Sequence, residues 1–208
     1  MAKLKAPLSI RIIYWFTLVL QVILGLGIIV TIVFNVLVNM GIADDLQLHV
    51  QFPVEVDFIE VGNLNIDNNN VRVQLVDATS KIHFIDTPKV ISNKIAIVKL
   101  LIFSISFYLV WVFKKFITNV KNGSTFNIEN IKILKKLAYG LVALWVFTII
   151  YMKIFYYYIG TRVEFENIRI SSDTNNYGGL LIVALMIWVL AHIFIKGLEL
   201  QSEKDLTI

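Results

Sequence analysis

Four long apolar runs, residues 10–40, 95–113, 137–159 and 177–195, govern what this chain can fold into. Each is close to or beyond the roughly 20 residues a helix needs to cross a hydrocarbon layer about 30 Å thick. The first run is longer than that layer is thick at ~1.5 Å per residue, so it has to tilt or project. A helix is the only serious reading, because an open strand edge in lipid leaves backbone groups without partners. Composition agrees: 57% of residues are hydrophobic and mean hydropathy is +0.74. Cleavage of the first run as a secretory signal is not expected. It is too long, and Val38-Asn39-Met40-Gly41-Ile42 offers no small-x-small site.

Charge then orients the spans. Lys3, Lys5 and Arg11 precede the first run, and Lys114, Lys115, Lys121, Lys132, Lys135 and Lys136 crowd the segment between the second and third. Segment 41–93 is instead acidic, with Asp44, Asp45, Glu55, Asp57, Glu60, Asp67, Asp77 and Asp86 against Arg72, Lys81 and Lys89. Lysine and arginine stay on the cytoplasmic side, so both termini and the central loop are expected inside. The net charge of +4 follows from that inner face and gives no reason to expect direct nucleic-acid binding. The chain thus divides into a cytoplasmic N-terminus with the first span (1–40), an outer β-rich loop (41–93) and a second span (94–116). A basic inner loop with an amphipathic helix (117–136) and a third span (137–159) follow. A second outer β-loop (160–176), a fourth span (177–196) and an acidic inner tail (197–208) complete it.

The first outer loop is too long and too patterned for a bare connector. Apolar residues fill the even positions from Leu46 to Phe58, the signature of a strand with one buried face. Pro53 marks an edge or a break. Asn63 to Asn70 reads as a turn, and Val71, Val73 and Leu75 alternate again. In the second outer loop Val163 and Phe165 share one parity and Ile168 and Ile170 the other, which implies a bulge. These strands are expected to join one sheet of four or five strands, because a lone ribbon is marginal. The fold class is a membrane all-α four-helix transmembrane bundle with a small extracytoplasmic β-layer, α+β overall.

No catalytic signature is present: no His-Glu-x-x-His, no Gly-x-Ser-x-Gly and no phosphate-binding glycine loop. His49 and His83 lack tight ligand spacing and read as solvated, so no metal or other cofactor is expected. With no cysteine, disulfides and thiol chemistry are excluded. Gln21, Asn35 and Asn39 read as helix-to-helix hydrogen-bond partners. Tyr151, Tyr156, Tyr157 and Tyr158 read as interfacial anchors, with a ligand-binding face as the alternative.

The most specific local pattern is Asn122-Gly123-Ser124-Thr125-Phe126-Asn127-Ile128-Glu129-Asn130. Asn122-Gly123 is a turn, Asn127 an N-cap, Glu129 suits a first helical turn, and Phe126 can staple onto Ile131. A short interfacial helix with Lys132, Lys135 and Lys136 follows and suits anionic headgroups. It either fixes topology or docks a partner. The chain closes on Gly197, Leu198, Leu200, Gln201, Glu203, Asp205, Leu206, Thr207 and Ile208, a tail that frays or docks.

These two stretches, with Leu134, Lys135, Lys136 and Phe194, resemble the bacterial membrane family known as domain of unknown function 2975. The resemblance implies a small inner-membrane protein, often encoded beside a short helix-turn-helix regulator, and it brings no activity and no catalytic residues. A non-enzymatic regulatory protein is therefore expected, with the outer β-layer sensing an envelope ligand. A cytosolic helix-turn-helix regulator would bind Asn122, Gly123, Phe126, Glu129, Asn130, Lys135, Lys136 and the tail from Gly197 to Ile208. The lipid bilayer is the other expected partner, and homo-oligomer formation is left open. The alternative is an envelope structural or assembly factor, with a transporter below both.

Overall fold

The structure, a computed structural model, describes residues 7–42, 50–58, 61–66, 69–74, 77–84, 88–163, 168–171 and 177–206. Four helices, α1 (Leu8–Asn39), α2 (Lys89–Lys121), α3 (Ile128–Gly160) and α4 (Gly178–Leu206), are each long and apolar enough to cross a membrane. They pack in chain order, α1 on α2, α2 on α3 and α3 on α4. Apolar side chains such as Val22, Ile29, Ile154, Ile182 and Met186 stay more than half exposed along them. An apolar surface of that extent is covered by lipid or by another protein.

The core lies between α2 and α3. Leu109 and Val112 meet Ile133, Leu137 and Leu144, with Ile187 of α4 packed alongside. Gly140 lets Leu109 lie directly on the α3 backbone. On α4 the buried residues Ala184 and Ala191 are small, which permits close helix approach.

Along its length α1 is held to α2 at four heights. At one end Tyr14 lies under the Lys121 ammonium, 4.4 Å from the ring centroid. Lys114 donates to Gln21 Oε1 at 3.3 Å in the next turns. In the middle Gly25 and Gly27 receive the rings of Phe107 and Phe103. At the far end Asn35 and Asn39 each donate to Asn93 Oδ1, at 2.8 and 3.0 Å, and Asn93 donates back to Asn39 at 3.0 Å. Gln21, Asn35 and Asn39 are thus helix-to-helix partners, as their positions predict.

Among the described residues the β-strands form two sheets rather than the single layer expected. Strands β1 (Val50–Phe58), β4 (Asp77–Phe84) and β5 (Ile168–Ser171) pair antiparallel in the order β4-β1-β5. Strands β2 (Val61–Ile66) and β3 (Asn69–Gln74) make a separate hairpin. Most of the turn expected at 63–70 is strand instead, because Asn63, Asn65, Asn69 and Asn70 pair in register; residues 67 and 68 lie outside the described residues. Pro53 neither ends nor splits β1. Pro53 pairs with Lys81 of β4, and among the described residues the β5 ladder runs from Glu55 to Phe58, clear of it. The three-stranded sheet rests on the end of α3, where Val56 is buried with Met152 and Tyr156 and Ile82 and Ile170 pack around them. Tyr156, read from sequence as an interfacial anchor, is a core residue under the sheet, 4% exposed. Tyr157 is 76% exposed. His49 lies outside the described residues, as does the side chain of His83.

Candidate functional site at the elbow and the end of α4

The segment joining α2 to α3 is an elbow in which nearly every polar group has a partner. Helix α2 ends in a Schellman closure. Gly123, at φ +84°, donates to the Val120 carbonyl at 3.0 Å, and Ser124 donates to Asn119 at 3.0 Å. A positive φ is why glycine follows Asn122. Asn127 then caps α3, its Oδ1 accepting the Asn130 backbone N–H at 2.7 Å, while its Nδ2 donates to Ser124 Oγ at 2.6 Å. Glu129 falls in the first turn, where the helix end is positive.

Asn130 is the keystone. It is 0% exposed. Its Nδ2 donates to the Ser124 and Thr125 carbonyls at 2.7 and 2.8 Å, and its Oδ1 accepts from Asn119 at 2.8 Å. One side chain thereby ties the last turns of α2 to the loop and to the start of α3.

The Phe126 ring, expected on Ile131, is placed on α4. Its centroid is 5.1 Å from that of Phe194, which stands 5.7 Å from Phe116 of α2. Gly197 makes room for it, since a Cβ there would come within 2.7 Å of the ring. The two stretches that sequence reading singled out separately are therefore one packed unit. Residues 128–136, expected as a short interfacial helix feeding the third span, are the first turns of α3 itself. Ile131, Ile133 and Leu134 are buried there, and α3 runs unbroken from Ile128 to Gly160.

Beyond the elbow α4 does not fray. It continues as a helix through Leu206, with Lys196 and Glu199 paired at 2.7 Å and Ser202 Oγ donating to the Glu199 carbonyl at 2.7 Å. Leu200 is 65% exposed, and Gln201 and Glu203 are exposed beside it. Thr207 and Ile208 lie outside the described residues, as do the side chains of Asp205 and Leu206.

Lysines surround this end. Lys115 sits 3.8 Å from the Trp111 ring centroid and Lys136 5.2 Å from that of Tyr108. Lys135 is half-buried and Lys136 exposed. The predicted residues thus divide. Asn122, Gly123, Phe126, Asn130 and Gly197 build the elbow, whereas Glu129, Lys136, Leu200, Gln201 and Glu203 face outward from it. Asn119 and Phe116 escaped sequence reading, because nothing local announces a side chain whose partner sits across the turn. Among the described residues no group of three or more His, Asp or Glu converges as a metal site would require.

Four helices of membrane-crossing length, capped at one end by a small sheet and closed at the other by a basic elbow, describe a multi-pass helical membrane protein. A family model described as "Protein of unknown function (DUF2975)" matches residues 63–208, and the chain belongs to that family. The match takes in β3 to α4 and begins inside β2, reaching into strands that carry no sequence pattern of the resemblance. No curated protein and no solved structure matches the chain.

Proposed function

We propose that this chain is a non-enzymatic regulatory protein of the bacterial cytoplasmic membrane, with the elbow and both chain ends inside and the sheet outside. The lysines of the elbow end and the acids of the sheet end support that orientation. In this reading the β-layer senses an envelope ligand, and the elbow and the end of α4 hold a cytosolic helix-turn-helix regulator. The observation that carries it is the packing of Phe126 on Phe194 and Gly197, which gives α4 a fixed root. From that root a helix bearing exposed Leu200 and Glu203 projects, a preorganised ligand for a groove with basic edges. Its acids suit a DNA-binding partner, whose phosphate-binding surface they would occupy.

Affinity capture from native membranes in mild detergent tests this, using the full chain and a version ending at Gly197. A small DNA-binding protein retained only by the full chain is the expected result. Equal retention of envelope proteins by both would favour an assembly factor. That second reading has an observation of its own, because the β2–β3 hairpin leaves Leu64, Val71 and Val73 exposed on one face. Orientation is tested separately. A lone cysteine placed by Ser202→Cys in this cysteine-free chain should resist an impermeant thiol reagent added outside intact cells.

A further inference from the structure

A groove of about 330 Å³ opens between α2 and α3 at the sheet end. That volume lies at the small end of the roughly 300–1,000 Å³ of ligand cavities. Ile91, Ile95 and Val98 of α2 form one wall and Ile154 and Phe155 of α3 the other, so the interior is apolar. Charge sits only at the rim. The Lys94 ammonium is 5.3 Å from the centroid of the Tyr158 ring, and the Arg162 guanidinium approaches the same ring at 4.1 Å. Among the described residues neither cation is in an ion pair.

We propose that this groove binds one anionic phospholipid, with an acyl chain between α2 and α3 and the phosphate met by Lys94 and Arg162. An apolar slot beside lipid admits any hydrocarbon chain, so selectivity has to come from the rim. Two cations gathered on one aromatic ring at the end of the apolar run stand where a headgroup phosphate lies. A charge pair beside hydrocarbon is screened less than one in water, which strengthens the contact.

The groove also touches the sheet. Tyr151 and Phe155 line it and pack against the cluster of Val56, Met152 and Tyr156 on which the sheet rests. A bound chain therefore presses on the same side chains that seat β1, giving the sensing role a ligand class and a route to the sheet. The proposal rests on the membrane reading given above and needs no cytosolic partner.

Native mass spectrometry of the full chain in mild detergent, titrated with phosphatidylglycerol or with phosphatidylcholine of the same acyl chains, tests it. One phosphatidylglycerol should be retained per chain roughly tenfold more tightly than phosphatidylcholine, given two cations near a headgroup. The paired change Lys94→Gln with Arg162→Gln, at exposed rim positions, should erase that preference. Ile154→Trp, which fills the groove from an exposed site, should weaken both lipids. Lys115→Gln with Lys136→Gln, at the elbow, should leave the tight lipid in place. Equal retention of the two lipids by the unaltered chain, or an undiminished preference in the rim variant, would overturn the proposal. So would loss of the tight lipid through the elbow variant. A chain that retains the lipid but captures no regulator would overturn the partner reading and leave this one standing.

Discussion

The elbow end and the sheet end of this molecule are held by different means. At the elbow Asn119, Asn127 and Asn130 close a hydrogen-bonded knot, and Phe126 on Gly197 adds the last helix to it, so α2, α3 and α4 share one junction. At the other end a three-stranded sheet rests on α3 through Val56, Ile82 and Ile170, and the β2–β3 hairpin is a separate sheet with Val61, Leu64, Val71 and Val73 exposed. A junction built from buried polar groups tolerates little rearrangement, because each broken bond strands its partner. A sheet seated by a few apolar contacts can shift without stranding anything. In the proposed reading the fixed end presents a surface and the seated end responds.

Asn130→Leu should break the contrast most severely. It leaves the Ser124 and Thr125 carbonyls and the Asn119 amide without their buried partner. A loss of about 3 kcal/mol is expected in denaturant titration of micelle-bound protein. Next comes Gly197→Val, which drives a side chain into the Phe126 ring. It should cost about 2 kcal/mol, and pairing it with Phe126→Ala should cost less than the sum of the two. Val56→Ala removes packing beneath the sheet and should cost about 1.5 kcal/mol. Its amide-exchange signature should be confined to β1, β4 and β5; faster exchange at the elbow as well would mean the ends unfold as one unit. Asn93→Ala at the α1–α2 clasp should have the smallest effect, about 0.6 kcal/mol, as for polar contacts between membrane helices generally.

Much of the fixed end was legible in sequence, because its chemistry is local. Asn122-Gly123 announces a helix stop and Asn127 a helix start within a few residues of the groups they satisfy. The alternation around Val56 likewise predicts a strand with one buried face. What sequence could not supply are partners set by tertiary packing. Phe126 has an apolar neighbour at Ile131, and only the fold brings Phe194 and Gly197 beneath its ring. Tyr156 looks like its neighbours Tyr157 and Tyr158, and the sheet above it decides that it is core. That β5 joins the sheet of the first loop agrees with the sequence, whereas its pairing with β1 and the separation of β2–β3 are not written there. Alternation specifies a strand's faces without naming the strand it joins.

Amide hydrogen exchange of the full chain in lipid nanodiscs tests most directly the claim that the elbow is the fixed end. Amides of residues 119–124, 130–131 and 194–200 should exchange slowly, and those of the β2–β3 hairpin at 61–66 and 69–74 much faster. An elbow that exchanges as fast as the hairpin would contradict the account, because a partner would then meet a loose segment instead of a preformed surface.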